Sequence, residues 1–289
     1  MTNPKEILAL RLNAAKVRMN VIRMMKASGH GHLGGAFSCI DILTALYFHT
    51  MKIDPQNPNM ENRDRFILSA GHKSMAQYAV LAEKGFFPKE VLDTYGMLHS
   101  KIPGHPDMHK LPGVEANTGA LGHGMSIACG MAIGLKNDKK LSRVFVVTGD
   151  GELAEGSNWE AVSVASHYRL DNLVVFIDYN GLQISGKVTD IMNMTPIDER
   201  FRSFGWAVRN IDGNNMEEVV STLDSVPLEV GKPTAVIAHT IKSKGLSFAE
   251  GNIAYHYWSP DEEGLTKAEA EISYSIELQE AEIMKEAGL

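Results

Sequence analysis

Two short stretches carry residue types and spacing that could bind a charged ligand. The first is Thr148-Gly149-Asp150-Gly151-Glu152, which follows a β-branched run and precedes a helical pattern. Its amides would sit at a helix N-terminus, which favours phosphate, and Asp150 could hold a hard cation through oxygen. An Asp-Gly pair can also be nothing more than a tight turn. The second stretch, Asp178-Tyr179-Asn180-Gly181-Leu182, ends another apolar run and places Asn180 thirty residues after Asp150. Two neighbouring parallel strands would then each deliver one oxygen ligand, with a backbone carbonyl near Gly181 or Leu182 as a third. A magnesium-type ion is commonly held by one or two protein groups plus phosphate oxygens, so the pair predicts a metal–diphosphate site.

Histidines are the next candidates. Four of the 11 lie in short Gly- or Pro-containing loops: Ser28-Gly29-His30, Ser69-Ala70-Gly71-His72, Pro103-Gly104-His105-Pro106 and Ala254-Tyr255-His256. Loops after helices and strands are where functional groups concentrate. Any one of these histidines could equally be a structural or surface residue. Gly29-His30-Gly31-His32-Leu33-Gly34 matches G-x-G-x-x-G by letter. A helical pattern precedes it where a dinucleotide fingerprint requires a strand, so it is not read as one.

The elements that must position these residues follow from periodicity. Residues 5–27 carry Ile7, Leu10, Ala14, Val17, Val21 and Met24 at three- and four-residue steps, an amphipathic helix stopping at Ser28-Gly29. A second apolar helix is expected over 38–50 and a Pro/Asn-rich loop over 52–63. Strands are expected at 65–69, 143–148, 172–178, 206–209 and 234–239. Helices are expected between them at about 73–84, 122–136, 155–168, 197–204 and 215–228. This alternation implies an α/β fold, a doubly wound and mostly parallel sheet flanked by helices, binding its ligand at the carboxyl ends of the strands. In the tail, Ser259-Pro260-Asp261-Glu262 and the capping box Thr266-Lys267-Ala268-Glu269 are both helix-start signals. An acidic helix over about 266–287 should dock through Ile272, Ile276 and Ile283. No linker or repeat divides the 289 residues, which read as one domain with terminal extensions.

Taken together, these motifs resemble transketolase. The Gly-Asp-Gly then Asn pattern resembles the thiamine diphosphate motif. The similarity extends over nearly the whole chain through the Ser-Gly-His-x-Gly loop, RFILSAGH, PGHPD, LPGVEANTGALGHG, VTGDGELAEGSNWEA, DYNGLQISG and His256. It covers only the N-terminal, diphosphate-binding (PP-domain) half of that enzyme, so the chain resembles the N-terminal subunit of a transketolase split into two polypeptides. The resemblance implies thiamine diphosphate and Mg²⁺ (Ca²⁺ or Mn²⁺ as substitutes). Asp150, Asn180 and the Leu182 carbonyl would hold the metal. His72, Gly119, Leu121, Gly151, Glu152, Asn180, Ile184 and His256 would surround the cofactor. His30, His72, His105 and His256 would face substrate and move protons, and Glu155 would link to a catalytic glutamate of the partner. It further implies a C-terminal partner subunit, an α2β2 assembly and sugar phosphate substrates, with the Ala/Gly-rich helix 125–135 packing at an interface or in the core.

The chain departs from that pattern twice. Tyr257-Trp258-Ser259-Pro260 follows His256 where many members read His-Gly-x-Pro. Bulk there could reshape the substrate channel, or Trp258 could simply pack the tail helix. His123 stands where the family often has Gln, and could touch the ligand or cap a helix. Lys242 and Lys244 could aid phosphate binding, but a solvated loop is the preferred reading.

Composition narrows the classes. With 28 basic and 35 acidic residues the net charge is −7, which disfavours nucleic-acid binding. Much of the excess acid lies in the tail, where Asp261 to Glu286 holds one Asp, eight Glu and two Lys. Two separated cysteines, Cys39 and Cys129, form no zinc spacing and suit a reducing, cytoplasmic compartment. The N-terminus shows no apolar signal region, and no apolar run approaches the roughly 20 residues of a membrane span. Two other thiamine diphosphate enzymes stay open as alternatives: the α chain of a 2-oxoacid dehydrogenase, and a 1-deoxyxylulose-5-phosphate synthase-type protein. A specialised transketolase for an unusual ketose phosphate or sulfo-sugar, or a non-enzymatic binding module, also stays open.

Overall fold

The computed structural model describes residues 3–288. In chain order the elements are α1 (Pro4–Ser28), α2 (Leu33–Ser38), α3 (Ile40–Ala45), β1 (Arg65–Leu68), α4 (Ser74–Lys84), α5 (Gly124–Asn137), β2 (Val144–Gly149) and α6 (Gly156–His167). Then come β3 (Leu173–Tyr179), α7 (Val188–Ile191), α8 (Ile197–Ser203), β4 (Ala207–Asp212), α9 (Met216–Leu223), β5 (Thr234–His239) and α10 (Glu262–Ala287).

The strands are near-continuous β-branched and aromatic runs because both faces of the sheet are covered. All six residues of β2 are buried, and all of β3 but Tyr179. Their alternate side chains feed two separate cores. Phe145, Val147, Val174 and Phe176 pack under α1, α3, α4 and α9, while Val144, Val146, Val175 and Ile177 pack under α5, α6 and α8. Every pairing is parallel, in the order β1-β2-β3-β5-β4. The chain leaves β1 for α4 on one face and β2 for α6 on the other. The connections diverge there, and a crevice opens at the carboxyl ends between them. This is the doubly wound α/β architecture expected from the alternation of periods.

Three boundaries differ from expectation. The run 38–50 is not one helix: Cys39 interrupts it at φ −101°, ψ 3°, and Leu46–Thr50 widens into a π-turn. Ser38 is drawn to the carboxylate of Asp178, 2.5 Å away. The segment is buried nearly throughout, so no amphipathic period marks the break. The tail helix starts at Glu262, ahead of Thr266. Asp261 accepts from the Gly264 amide at 2.8 Å, and Glu262 and Glu263 lie at the positive helix end, so the upstream signal prevails. Thr266 is left inside the helix, donating to the Glu262 carbonyl. α9 stops at Leu223, short of 228, because Pro227 disfavours helical geometry in the residue before it. α10 packs along α1 through Ala268 and Ile272. Among the described residues no helix is long and apolar enough to cross a membrane.

One tie between these elements gives a pH-dependent stability. His49 lies 2.7 Å from Glu6 of α1 and 2.7 Å from Asp224 after α9. Partial burial lowers its pKa, but the hydrogen bonds and charges of Asp224 and Glu6 outweigh that and raise it. A raised histidine pKa contributes stability that is complete below the unfolded value near 6.5 and is lost as pH rises through the folded value. The gap in melting temperature between the parent and His49→Gln should therefore shrink from pH 6 towards pH 8.5, and a gap that does not change with pH would refute the assignment.

Candidate active site

The β2–β3 register pairs Gly149 with Asp178, so the loops after these strands emerge side by side. Asp150 begins the first loop. Its Oδ1 accepts from the Gly151 amide at 2.8 Å and its Oδ2 from the Gly181 amide, across the gap, at 2.6 Å. Asn180 Oδ1 accepts from the Leu182 amide at 3.1 Å. Asp150, Asn180 and Leu182 all line one cleft of about 370 Å³. Among the described residues no group of three His, Cys, Asp or Glu could hold a metal ion. The donors here are one carboxylate, one amide oxygen and one carbonyl. That set suits a hard cation that takes its remaining ligands from phosphate or water.

The charges of the cleft favour the same ligand. Asp150 is 3% exposed; burial, with Asp178 nearby, pushes its carboxyl up to about 6 against the pull of Lys73 and the two amides. A carboxylate so placed is stabilised by a cation. Lys242 has the opposite need. It is 2% exposed, and among the described residues its ammonium reaches only the Leu182 carbonyl at 3.1 Å and His256 Nδ1 at 2.9 Å. Burial, then Lys73, lowers it to about 8. No carboxylate forms an ion pair with Lys242 among the described residues, and a buried charge without a counter-ion is costly. The expectation of a solvated loop at Lys242 is corrected here: α2 and the His256 segment close over its aliphatic stem, which lies against Gly34. Lys244, two residues on, is exposed enough to pair with Glu250.

Three imidazoles stand against this lysine. His72 and His256 stack at 5.7 Å and 23°, and His32 lies 5.5 and 5.7 Å from them. Burial is the main cause that pushes His72 down to about 2 and His256 down to about 3. Lys73 adds most to the first and Lys242 to the second. His32 is lowered by burial and then by His105. All three are neutral imidazoles at neutral pH, able to take or give a proton. Because His256 Nδ1 accepts from Lys242, its proton resides on Nε2.

The floor is a buried ion pair. Lys73 Nζ lies 2.5 Å from Asp178 Oδ2, with side-chain exposures of 3% and 0%. Asp178 also accepts from Ser38 and Thr240. The loops pack closely above it: a Cβ on Gly71 would come within 2.6 Å of the Gly119 amide. Only glycine lets the 118–122 loop lie down on the turn carrying His72.

Of the residues expected from sequence, ten line the cleft: His72, Gly119, Leu121, Asp150, Gly151, Glu152, Asn180, Leu182, Ile184 and His256. Ile184 is 72% exposed, at its rim. His30, His105 and Glu155 do not line it. His30 is exposed, and the histidine two residues later, His32, occupies the wall. His105 lies against Gly119 and near enough to His32 to lower its pKa, and Glu155 is exposed at the start of α6. Glu152 lines the cleft, but its carboxylate is taken up by donors from three segments. It accepts from Ser69 and Thr148 hydroxyls and from the Gly122 and Gly149 amides, so it ties the cleft walls together. His123 neither lines the cleft nor caps α5 with its side chain; its ring bonds back to the Leu121 carbonyl. Trp258 packs against Phe248, Tyr255 and the start of α10, so its bulk serves the tail. Sequence reading missed His32 and Lys73, and ranked phosphate binding by Lys242 below a solvated loop. The alternation Gly-His-Gly-His was the available signal for the first. Nothing local marks a buried lysine.

Known proteins agree with this geometry. Residues 10–279 match the family model described as transketolase, thiamine diphosphate binding domain. The chain is 42% identical over 277 residues to an apulose-4-phosphate transketolase subunit of Phocaeicola vulgatus, covering 96% of this chain and 98% of that one. It is 43% identical to the 6-deoxy-6-sulfo-D-fructose transketolase subunit SqwG of a Clostridium species, covering 88% and 94%. The crystal structure of Campylobacter jejuni transketolase superposes with a TM-score of 0.86 at 31% identity, over 99% of this chain but 48% of that chain. The chain thus spans about half the length of the solved transketolase it matches. Cleft, charge arrangement and likeness converge, and the chain belongs to the family of transketolase thiamine diphosphate binding domains.

Proposed function

We propose that this chain is the N-terminal subunit of a two-chain transketolase that moves a two-carbon ketol unit from a ketose phosphate to an aldose phosphate. The observation that carries the reading is that one cleft is lined by a buried ammonium, Lys242, and a buried carboxylate, Asp150, neither with an ion-pair partner among the described residues. A diphosphate with its divalent cation satisfies both. Asp150, Asn180 and the Leu182 carbonyl would hold Mg²⁺, with Ca²⁺ or Mn²⁺ as substitutes. Lys242, the Gly151 amide, His72 and His256 would hold the diphosphate. Gly119, Leu121 and Ile184 would border the rings of thiamine diphosphate, and Glu152 braces their loops. Bound thiamine diphosphate supplies the carbon nucleophile and electron sink for the transfer.

The residues of the chain supply proton handling and exclusion of water. His32, His72 and His256 are neutral, so each can accept a proton from a substrate hydroxyl and return it to an oxygen that gains charge. His30 and His105 stand outside them, where they would meet the sugar on its way in. The 289 residues would form one PP-type domain, with the N-terminal helix and the acidic α10 as its extensions. The matched length, and relatives named as transketolase subunits, support a partner chain. With two copies of each the assembly would be α2β2. Glu155, exposed at the head of α6, would meet that chain. Two buried free cysteines fit a reducing, cytoplasmic setting.

A second reading concerns the sugar. The two relatives are named for apulose 4-phosphate and 6-deoxy-6-sulfo-D-fructose, and Tyr257 stands at the cleft mouth. These support an unusual ketose phosphate or sulfo-ketose as donor. The test is ketol transfer by the chain alone and mixed with its candidate partner, the product of the neighbouring gene, with thiamine diphosphate and Mg²⁺. Xylulose 5-phosphate, apulose 4-phosphate and 6-deoxy-6-sulfofructose serve as donors. Transfer only in the mixture is expected. A stable, cofactor-loaded complex that transfers from no donor, yet oxidises a 2-oxoacid or condenses pyruvate with an aldose phosphate, would overturn it.

A further inference from the structure

We propose that Tyr257, braced by His30, is a specificity-determining residue that selects the ketose by contact with its hydroxylated chain beyond the reacting carbons. This rests on the ketol-transfer reading above.

The position of Tyr257 is built from the backbone upward. Gly31 and Trp258 exchange both of their main-chain hydrogen bonds, at 2.9 and 2.8 Å, in an antiparallel bridge. Side chains alternate across such a pair, so His30 and His32 share one face with Tyr257, and Trp258 takes the other. The Trp258 face is core. The indole packs on Phe248 and Tyr255, and a Cβ on Gly31 would come within 2.7 Å of Met75 Sδ. Tyr257 therefore has one direction left, towards the cleft mouth.

There it is held. Its hydroxyl lies 2.6 Å from His30 Nδ1, and the two rings stack at 5.6 Å and 23°. Its ring meets His32 edge-on at 4.9 Å, and His32 is the cleft-wall residue beside His72 and His256. Tyr257 thus stands one ring outside the imidazole cluster. It is 49% exposed, yet fixed at both ring and hydroxyl, so little ordering is left for a ligand to bring about.

The chemistry of this outer station differs from that of the floor. Lys73 and Lys242 lie deep and attract anions. The Tyr257–His30 pair offers flat apolar faces, one phenol oxygen with a free lone pair and one free imidazole nitrogen. Such a pair reads C–H faces and hydroxyl groups. Its bulk also occupies space that a glycine at the same position would leave open. A ring there discriminates between straight and branched carbon chains, and the hydroxyl pair rejects a chain that leaves it unpaired.

The test uses the assembled two-chain enzyme with a straight ketose phosphate, a branched ketose phosphate and a sulfo-ketose as donors. Tyr257→Phe and His30→Ala are each expected to change the kcat/KM ratio of the best donor to the next by about tenfold, mainly through KM. The double variant should do no more than either single one, because both remove the same interaction. Tyr257→Gly should level the donors. Calorimetric affinity for thiamine diphosphate with Mg²⁺ should stay unchanged in all variants, which a collapsed site would not allow. Donor ratios within twofold of the parent in Tyr257→Phe and Tyr257→Gly would overturn the proposal alone. Absence of transfer by the unsubstituted pair would overturn the functional reading and the proposal with it.

Discussion

Asp150→Asn is expected to abolish ketol transfer by the assembled pair without unfolding either chain. The carboxylate is the one anionic group among the three oxygen donors at the carboxyl ends of β2 and β3. Residues that merely support a metal ligand cost about 10- to 100-fold in metal affinity, so the charged ligand itself should cost about 100-fold or more. The side chain is nearly isosteric, and its remaining oxygen can still accept from the Gly151 or Gly181 amide. It also removes a buried charge from the ligand-free protein, so ligand-free stability should not fall. The sharpest readout is thermal. A ligand at 100 times its dissociation constant stabilises by about 2.7 kcal/mol, and for a chain of this size that is roughly a 5 °C rise in melting temperature. The parent should show that rise with thiamine diphosphate and Mg²⁺, and Asp150→Asn should not. A variant that keeps the full rise would remove Asp150 from the proposed metal site.

Lys73→Met is expected to have the largest effect on stability of any single change in the cleft. The ammonium is buried beside Asp178 Oδ2, and its pKa is raised because Asp178 and its neighbours outweigh the opposing effect of burial. Methionine keeps the length of the stem and leaves Asp178 as an uncompensated charge. Breaking a buried pair in this way costs about 3–5 kcal/mol, a large part of the roughly 5–15 kcal/mol that a domain has. Ser38 and Thr240 still donate to Asp178, which places the expected cost at the lower end of that range. The double variant Lys73→Met, Asp178→Asn should recover part of the loss, because no orphaned charge remains. Urea denaturation of the four proteins of this cycle measures the coupling. A cost below about 1 kcal/mol for Lys73→Met, or strict additivity in the cycle, would show that the pair does not hold the floor.

These two residues illustrate what could be read in the chain and what could not. Asp150 was legible because its surroundings are local. A β-branched run, a Gly-Asp-Gly turn and a helix start lie within a dozen residues, and a second strand ending in Asn180 repeats the pattern. Lys73 was not, because its significance is a long-range pairing with Asp178, 105 residues away. Lys242 was misread for a related reason. A lysine between Ile241 and Ser243 in a Gly-containing stretch reads as solvated, and only the approach of the His256 segment and α2 buries it.

The same division runs through the fold. Short β-branched apolar runs and period-3.6 patterns determined the five strands, the doubly wound class and the helices that cover both faces, because burial selects side-chain types along one element. Helix ends were less well determined. At the break at Cys39, Ser38 is held by groups far along the chain, its hydroxyl by Asp178 and its carbonyl by Asn214. In the tail two start signals competed, and the upstream one prevailed. Among the histidines, sequence determined that the N-terminal loop would carry one into the cleft. The Gly31–Trp258 bridge decided that His32 lines the wall while His30 turns to Tyr257. Sequence by itself thus determined the elements, the family resemblance and the residues whose partners lie within their own loop. Tertiary structure alone decided which charges are buried, which are paired and which histidine faces the cleft. Burial and charge pairing are properties of groups brought together across the chain, and no local pattern encodes them.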